Sequence, residues 1–454
     1  METEFTPEQL KDHRIQEADA IIRRCVHCGF CTATCPTYLL LGDERDSPRG
    51  RIYLIKSMLE GKATPRQVRP HLDRCLSCYS CMTTCPSGVD YLHLSDFARV
   101  YIEKAAGRRR SSEEFMRALL RSVLPHPGRF RLALLAAIAA RPFRRLFARS
   151  KSLGAMLNLA PARRPESGQF SSPQTVKTQK PRRGRVILMT GCVQKVLRPK
   201  INDASVRFLN RLGYDVVLSG RDGCCGALSL HMGKEVEAKA YARKNIDAWH
   251  NLRELGPIDA IIINASGCGT TVKDYGHLFA HDPAYAAKAK FISSLAKDIA
   301  EFAAQQKMEA PVGWSDIRVA YHSACSMQHG QKLHDQPRQL LRNAGFTVVE
   351  IPEGHICCGS AGTYNMLQPE LAGALRDRKL ANIEAVKPDC VAAGNIGCIN
   401  QLAHGPIPIV HTVELLDWAY GGPCPEAFKH LQKRVHPLPR EGETVDAGSA
   451  PVAA

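Results

Sequence analysis

Cys25-Val-His-Cys28-Gly-Phe-Cys31-Thr-Ala-Thr-Cys35-Pro36 places four cysteines within eleven residues, and Cys75-Leu-Ser-Cys78-Tyr-Ser-Cys81-Met-Thr-Thr-Cys85-Pro86 places four more at the same spacing. The pattern C-x2-C-x2-C-x3-C-P is a ligand spacing for [4Fe–4S] clusters. Three thiolates on one tight loop wrap a face of the cubane, and backbone N–H groups of the loop point at its sulfurs. The fourth cysteine begins the next segment and points away, towards a neighbouring cluster. The proline sets the direction of that segment and removes a backbone donor. This reading assigns Cys25, Cys28, Cys31 and Cys85 to one cluster, and Cys75, Cys78, Cys81 and Cys35 to a second. Zinc sites draw on two separated cysteine pairs rather than four cysteines in a short run, so a pair of zinc sites is the weaker alternative.

Thirty-nine residues separate the two motifs, more than a small β-type ferredoxin would need, and they point to a helical two-cluster ferredoxin domain over residues 1–107. Thr6-Pro7-Glu8-Gln9 reads as a helix start, with Thr6 capping, Pro7 in the first turn and Gln9 completing a capping box. That helix is expected to run to about Arg24 and deliver Cys25. A second is expected from Arg51 to about Gly61. Between the motifs lies Asp46-Ser-Pro-Arg-Gly-Arg51. Arg49 and Arg51 either offset the negative charge of a thiolate-bound cluster and raise its potential, or lie in a solvated loop ahead of the helix.

Residues 185–420 contain an internal repeat. Cys192 and Cys224-Cys225-Gly226 have 31 residues between them, as do Cys325 and Cys357-Cys358-Gly359, and the halves are offset by 133. They close on Ser266-Gly267-Cys268-Gly269 and Asn395-Ile396-Gly397-Cys398. Short apolar strands alternate with helical patterns in both halves, which implies two tandem α/β domains with parallel sheets, 185–312 and 313–420. Each cysteine follows the C-terminal end of a strand, where open α/β sheets gather ligands. Cys192, Cys224, Cys225 and Cys268 in one half, and Cys325, Cys357, Cys358 and Cys398 in the other, are candidates for a third metal site. Two such sites, one site shared by both halves, zinc, and reduced structural thiols all remain open. His322 is either a ligand, an acid/base group or a structural residue beside a strand end. Cys390 reads as a small buried apolar side chain, and Cys424 has no assignment.

Eighteen cysteines in 454 residues, without an apolar leader at the N-terminus, point to metal or redox chemistry rather than a disulfide scaffold. The longest apolar run, Leu132–Ala140, has nine residues, whereas a membrane span needs ~20. The net charge of +17 lies in one block: Lys104 to Arg185 holds 20 Lys and Arg against three acidic residues. This connector, 108–184, joins a short apolar helix (Arg131–Ala140) to an arginine-rich amphipathic stretch ending at Arg149. It reads as a peripheral membrane contact over 108–150, as a surface packing on partner subunits, or as a nucleic-acid contact. The last is disfavoured because no nucleic-acid module accompanies the charge. Residues 163–185 read as a mobile linker, and 421–454 as a tail that turns disordered from about His436.

Taken together, the tandem cluster motifs followed by two Cys…Cys-Cys-Gly…Gly-Cys repeats resemble iron–sulfur subunits related to heterodisulfide reductase. Within that group the chain is similar to the glycolate oxidase iron–sulfur subunit family. The likeness rests on Ser47-Pro-Arg-Gly-Arg-Ile-Tyr-Leu-Ile-Lys56, Gly223-Cys-Cys-Gly-Ala227, Asn245-Ile-Asp-Ala-Trp249, Lys273-Asp-Tyr-Gly276, His355-Ile-Cys-Cys-Gly-Ser-Ala-Gly-Thr-Tyr364 and Gly394-Asn-Ile-Gly-Cys398. The resemblance implies an α+β multidomain electron-transfer subunit without a catalytic residue for glycolate. FAD-bearing partner subunits would oxidise glycolate to glyoxylate, and two [4Fe–4S] clusters here would pass the electrons singly to a membrane quinone, on the cytoplasmic face of the inner membrane. The missing Gly-x-Gly-x-x-Gly and Gly-Lys-Ser/Thr motifs agree with that division of labour. Subunits of a lactate or glycerol-3-phosphate dehydrogenase, and a heterodisulfide-reductase-like thiol redox protein, are the alternatives. The repeats depart from the heterodisulfide reductase pattern in one respect. Where that pattern has a fifth cysteine, Ala265 and Asn395 stand here.

Overall fold

Residues 1–105, 112–143 and 151–437 are described by the computed structural model of the chain. Its N-terminal part is built from α1 His13–Arg24, α2 Pro36–Leu41, α3 Pro48–Leu59, α4 Pro65–Asp73, α5 Ser80–Thr84 and α6 Tyr91–Ala105. Three of these, α2, α3 and α4, open on a proline, whose fixed φ suits the first turn and whose missing N–H would have had no partner there. Ile15, Ile22, Ile52, Ile55, Leu72 and Leu94 bury together between them.

Two helix starts differ from expectation. Thr6 and Gln9 do exchange capping bonds, Gln9 N donating to Thr6 Oγ1 (3.2 Å) and Thr6 N to Gln9 Oε1 (2.9 Å), but they close only the 3-10 turn Gln9–Lys11. Asp12 then takes an extended conformation, and its carboxylate accepts from Arg14 N (2.9 Å), so α1 begins at His13. Likewise α3 begins at Pro48 rather than Arg51, because Ser47 Oγ accepts from Gly50 N (3.0 Å) and caps the earlier turn.

The connector contributes α7 Ser112–Val123, α8 Pro127–Ala140 and α9 Lys151–Leu159. Segments 106–111 and 144–150, the second holding most of the expected arginine-rich stretch, lie outside the described residues, as does 438–454 of the tail. Part of the connector's charge is spent inside the molecule. Arg117 pairs with Asp73 (2.8 Å), and Arg121 pairs with Glu237.

The repeat appears as two matching sheets. The first runs β1-β3-β2-β4-β5, with β1 Gln174–Val176, β2 Gly184–Met189, β3 Tyr214–Leu218, β4 Ala260–Ile263 and β5 Ala296–Asp298. The second runs β10-β9-β7-β8, with β7 Arg318–His322, β8 Thr347–Val349, β9 Cys390–Ala393 and β10 Ile409–His411. All pairs within the shared pattern are parallel. The added strand β1 is antiparallel to β3, so the stretch read as a linker caps the sheet's edge.

Alternation along β2 sends Ile187 and Met189 to one apolar layer, and Val186 and Leu188 to the other. That second layer is continuous with Val319, Tyr321 and Val391 of the second sheet. One core therefore runs through both halves, and residues 312/313 do not separate two cores. The polar segment after Tyr420 also joins this core. Glu426–Arg434 winds as a 3-10 segment that buries Phe428 and Leu431, and β11 Val435–Pro437 pairs with β6 Gly313–Ser315.

Candidate iron–sulfur and cysteine centres

The two cysteine loops fold alike. His27 (φ 58°) and Gly29 (φ 87°) in the first match Ser77 (φ 50°) and Tyr79 (φ 59°) in the second, fifty positions on. Two left-handed residues per loop, three of the four carrying side chains, curl each chain tightly around its cysteines. Cys25, Cys28, Cys31 and Cys85, together with Cys81 of the second loop, line one surface pocket beside Val26, Phe30 and Pro86, with no carboxylate in its lining. Thiols gathered without a competing carboxylate suit iron–sulfur binding. Cys28 is exposed, and Val26 and Phe30 are exposed around it.

The other set lies deeper. Burial pushes the Cys81 thiol well up, and its nearest like charges are Cys78, Cys75 and Cys35. Burial raises Cys78 in the same way, and Cys325 of the second repeat packs in the same cluster. Cys75 goes the other way. Burial opposes its ionisation, but Arg51 and Arg99 outweigh that and hold its thiol below the ordinary value.

Arg51 is 1% exposed. Its Nε donates to His71 O (2.7 Å) and its Nη2 to Thr37 Oγ1 (2.9 Å) and Asp46 (3.3 Å), while Nη1 lies 3.8 Å from Cys35 Sγ. The solvated-loop reading therefore fails for Arg51, which sits among the cysteines. Arg49 lies nearer the surface, bonded to Glu44 (2.5 Å) and donating to His27 O (3.4 Å) on the first loop. Arg99, whose Nη2 donates to Cys75 O (3.3 Å), had no motif to mark it.

In the repeats, the Cys-Cys-Gly turns require glycine twice over. Gly226 (φ 90°) and Gly359 (φ 84°) are left-handed, and a Cβ there would lie 2.8 Å from Ala238 O and 2.5 Å from Ala372 O. The turn thus lets a helix backbone pass close behind the paired cysteines. Cys192, Cys224, Cys225 and Cys268 form one chain of neighbouring thiols. Donation from Cys192 and Cys225, helped by Gly226 N (3.5 Å), holds Cys224 well below its ordinary value, while Cys192 and Cys225 are held up. Cys325, Cys357, Cys358 and Cys398 form the second chain, with Cys325 and Cys357 3.8 Å apart. Asn395 Nδ2 donates to Cys398 Sγ (3.5 Å).

All eight thiols face a single cavity of about 460 Å³, which Cys75 also borders. Leu120, Phe130, Leu134, Ala137 and Leu159 of α7, α8 and α9, with Leu124 in the turn after α7, form its apolar wall. The halves are stitched beside it: Ser266 N donates to Gly394 O (3.1 Å), Ser266 and Ser326 hydroxyls lie 2.7 Å apart, and Gln331 Nε2 donates to Ser266 O (3.0 Å).

His322 ends β7 at 2% exposure, its Nε2 without a hydrogen-bond partner. Burial pushes its pKa down to about 3, so the ring is neutral. Leaving such an atom unpaired costs about 1–3 kcal/mol. Cys390 is fully buried in the core, and burial pushes its thiol up to about 12. Cys424 lies apart from both cysteine chains, with its thiol against Pro425 O (3.5 Å).

The N-terminal domain is seated across both halves. His93 Nε2 meets Asp274 (3.0 Å), His231 meets Asp96 (3.2 Å), Lys234 meets Glu103 (2.6 Å), and Thr83 bonds His329 (2.7 Å). Leu76 and Cys78 pack with Ile356, Cys357 and Tyr364.

Residues 21–89 match the family described as a 4Fe-4S dicluster domain, and residues 186–273 and 319–403 match the one described as a cysteine-rich domain. The N-terminal match makes that region a carrier of two [4Fe–4S] clusters. The chain is 43% identical to the glycolate oxidase iron-sulfur subunit of Escherichia coli over 92% of its own length and 99% of that protein. It is 29% identical to the probable glycolate oxidase iron-sulfur subunit of Bacillus subtilis over 93% of its length and 99% of that protein. A lactate utilization protein A of Geobacillus kaustophilus is 27% identical over 51% of this chain and 98% of its own. A solved hypothetical protein from Helicobacter pylori shares the fold, with a TM-score of 0.52 at 9% identity over 92% of this chain and 74% of that one. Full-length identity, two cluster loops and two cysteine repeats place the chain in one group: it belongs to the glycolate oxidase iron–sulfur subunit family.

Proposed function

We propose that this chain carries electrons from FAD-bearing partner subunits, which oxidise glycolate to glyoxylate, to a membrane quinone, and that it works on the cytoplasmic face of the inner membrane. The observation that carries the quinone reading is the cavity under α7, α8 and α9. Its volume of about 460 Å³ lies in the range of small-molecule sites, which pair an apolar lining with a few polar or reactive groups. Here the reactive groups are the eight thiols of the repeats. The ligand sets form a series: the exposed Cys28 loop, the buried set around Cys75 and Cys78, then Cys325 and Cys357 against Cys78. Iron–sulfur clusters, when bound, supply one-electron redox chemistry. The chain's own part is to leave one set open to a donor, to bury the next, and to set the last beside an apolar wall.

The outer faces of the connector helices support peripheral membrane contact. Phe115, Leu132, Leu135 and Phe143 are exposed, and no helix among the described residues is long and apolar enough to cross a membrane. Leu134→Trp, which fills the cavity, is expected to cut glycolate-dependent reduction of a short-chain ubiquinone at least tenfold in the purified complex. Flavin reduction by glycolate should persist. Undiminished quinone reduction would remove the cavity from the pathway. The lactate-utilising relatives make L-lactate the comparison substrate, and flavin reduction by lactate but not glycolate would replace the substrate reading.

A further inference from the structure

Among the described residues, His322, Cys358 and Cys398 are all buried, and their donor atoms lie within 4.8 Å of one another. Cys325 and Cys357 continue the same chain of thiols, so an imidazole nitrogen joins four sulfurs at the end of β7. His322 Nε2 has no protein partner, although it is buried, and buried polar atoms are nearly always satisfied. A histidine that merely packed would be expected to bond a carbonyl or hydroxyl, as His411 Nε2 does by donating to Asn264 O (2.8 Å). The repeat supplies an internal control. At the offset of 133, Met189 occupies the place of His322. The first half therefore offers four thiols without an imidazole.

We propose that His322 is a nitrogen ligand of an iron–sulfur centre in the second repeat, held with Cys325, Cys357, Cys358 and Cys398, and that the first repeat has no such ligand. The two repeats are then chemically unequal, since the second adds a neutral imidazole donor to a set of four thiolates that the first supplies alone. Neither the substrate nor the final acceptor enters this assignment, so it stands or falls separately from the quinone and glycolate readings.

The test uses the full chain, purified without oxygen, with histidine selectively labelled with 15N. Pulsed EPR should resolve a directly bonded histidine nitrogen on one of its paramagnetic centres. That coupling should vanish in His322→Cys, which keeps a donor at the site and so keeps its iron, and in His322→Ala, which should lose iron relative to Met189→Ala. A wild-type chain without any directly bonded histidine nitrogen would overturn the assignment. So would a coupling that survives in His322→Cys, or zinc in place of iron at this site by metal analysis. If His322→Ala does not accumulate, the labelled wild-type and His322→Cys chains decide the matter alone.

Discussion

Arg51 neutralises Asp46 on one side and faces the thiols of Cys35 and Cys75 on the other, at 1% exposure. Removing one member of a buried ion pair leaves an uncompensated charge and costs about 3–5 kcal/mol. Arg51→Met is therefore expected to lower stability by that order in urea denaturation. Redox titration should also show a lower potential for the cluster we assign to Cys35, Cys75, Cys78 and Cys81. Unchanged stability would mean that Arg74 (2.9 Å) and His71 (3.1 Å) suffice for Asp46. At this scale the cysteines were legible, because eleven residues of spacing encode a whole loop. Arg99 and Asp46 were not, since each reaches the site from a segment with no signature of its own. For His322 the sequence left ligand, acid/base and structural readings side by side, because its unpaired Nε2 exists only once β7 lies beside Cys358 and Cys398.

Among the elements, β2, β3, β4, β7, β8 and β9 were legible in the repeat, whereas β5 and β10, of three residues each, had too short a pattern to announce them. Polar composition concealed two further pieces. Residues 174–176 read as a linker yet add an edge strand, and the segment after Tyr420 read as a tail yet ends in β11. In both, a few apolar side chains at the right place outweigh the surrounding polarity. Phe428 is fully buried in the core shared by the halves, and emptying such a site costs about 3–5 kcal/mol. Phe428→Ala is expected to destabilise the second half by that amount, and thermal unfolding followed by far-UV circular dichroism would read it. A midpoint within a degree of the parent would show that this segment merely rests on the surface.

For the molecule as a whole, the N-terminal domain and the repeats are held in one arrangement partly by His93. This residue stands between Asp90 (2.6 Å) and Asp274 (3.0 Å). Burial opposes its charge, but the two carboxylates prevail and raise its pKa from 6.5 to about 10. A folded-state value above the unfolded one means that the contribution is complete below about pH 6.5 and is lost as pH rises through about 10. The wild-type chain should lose stability over that interval relative to His93→Gln, and the difference should be largest on the acid side. A pH-independent difference in chemical denaturation would show that the contact is not ionic.

Exposure is graded along the same arrangement: Cys28 meets solvent, whereas Cys78, Cys357, Cys358 and Cys398 do not. Corrosion by air therefore begins at one end. If electrons enter at the Cys28 loop, as proposed above, an ageing preparation goes deaf before it goes mute, losing the ability to receive while its interior still holds the means to discharge.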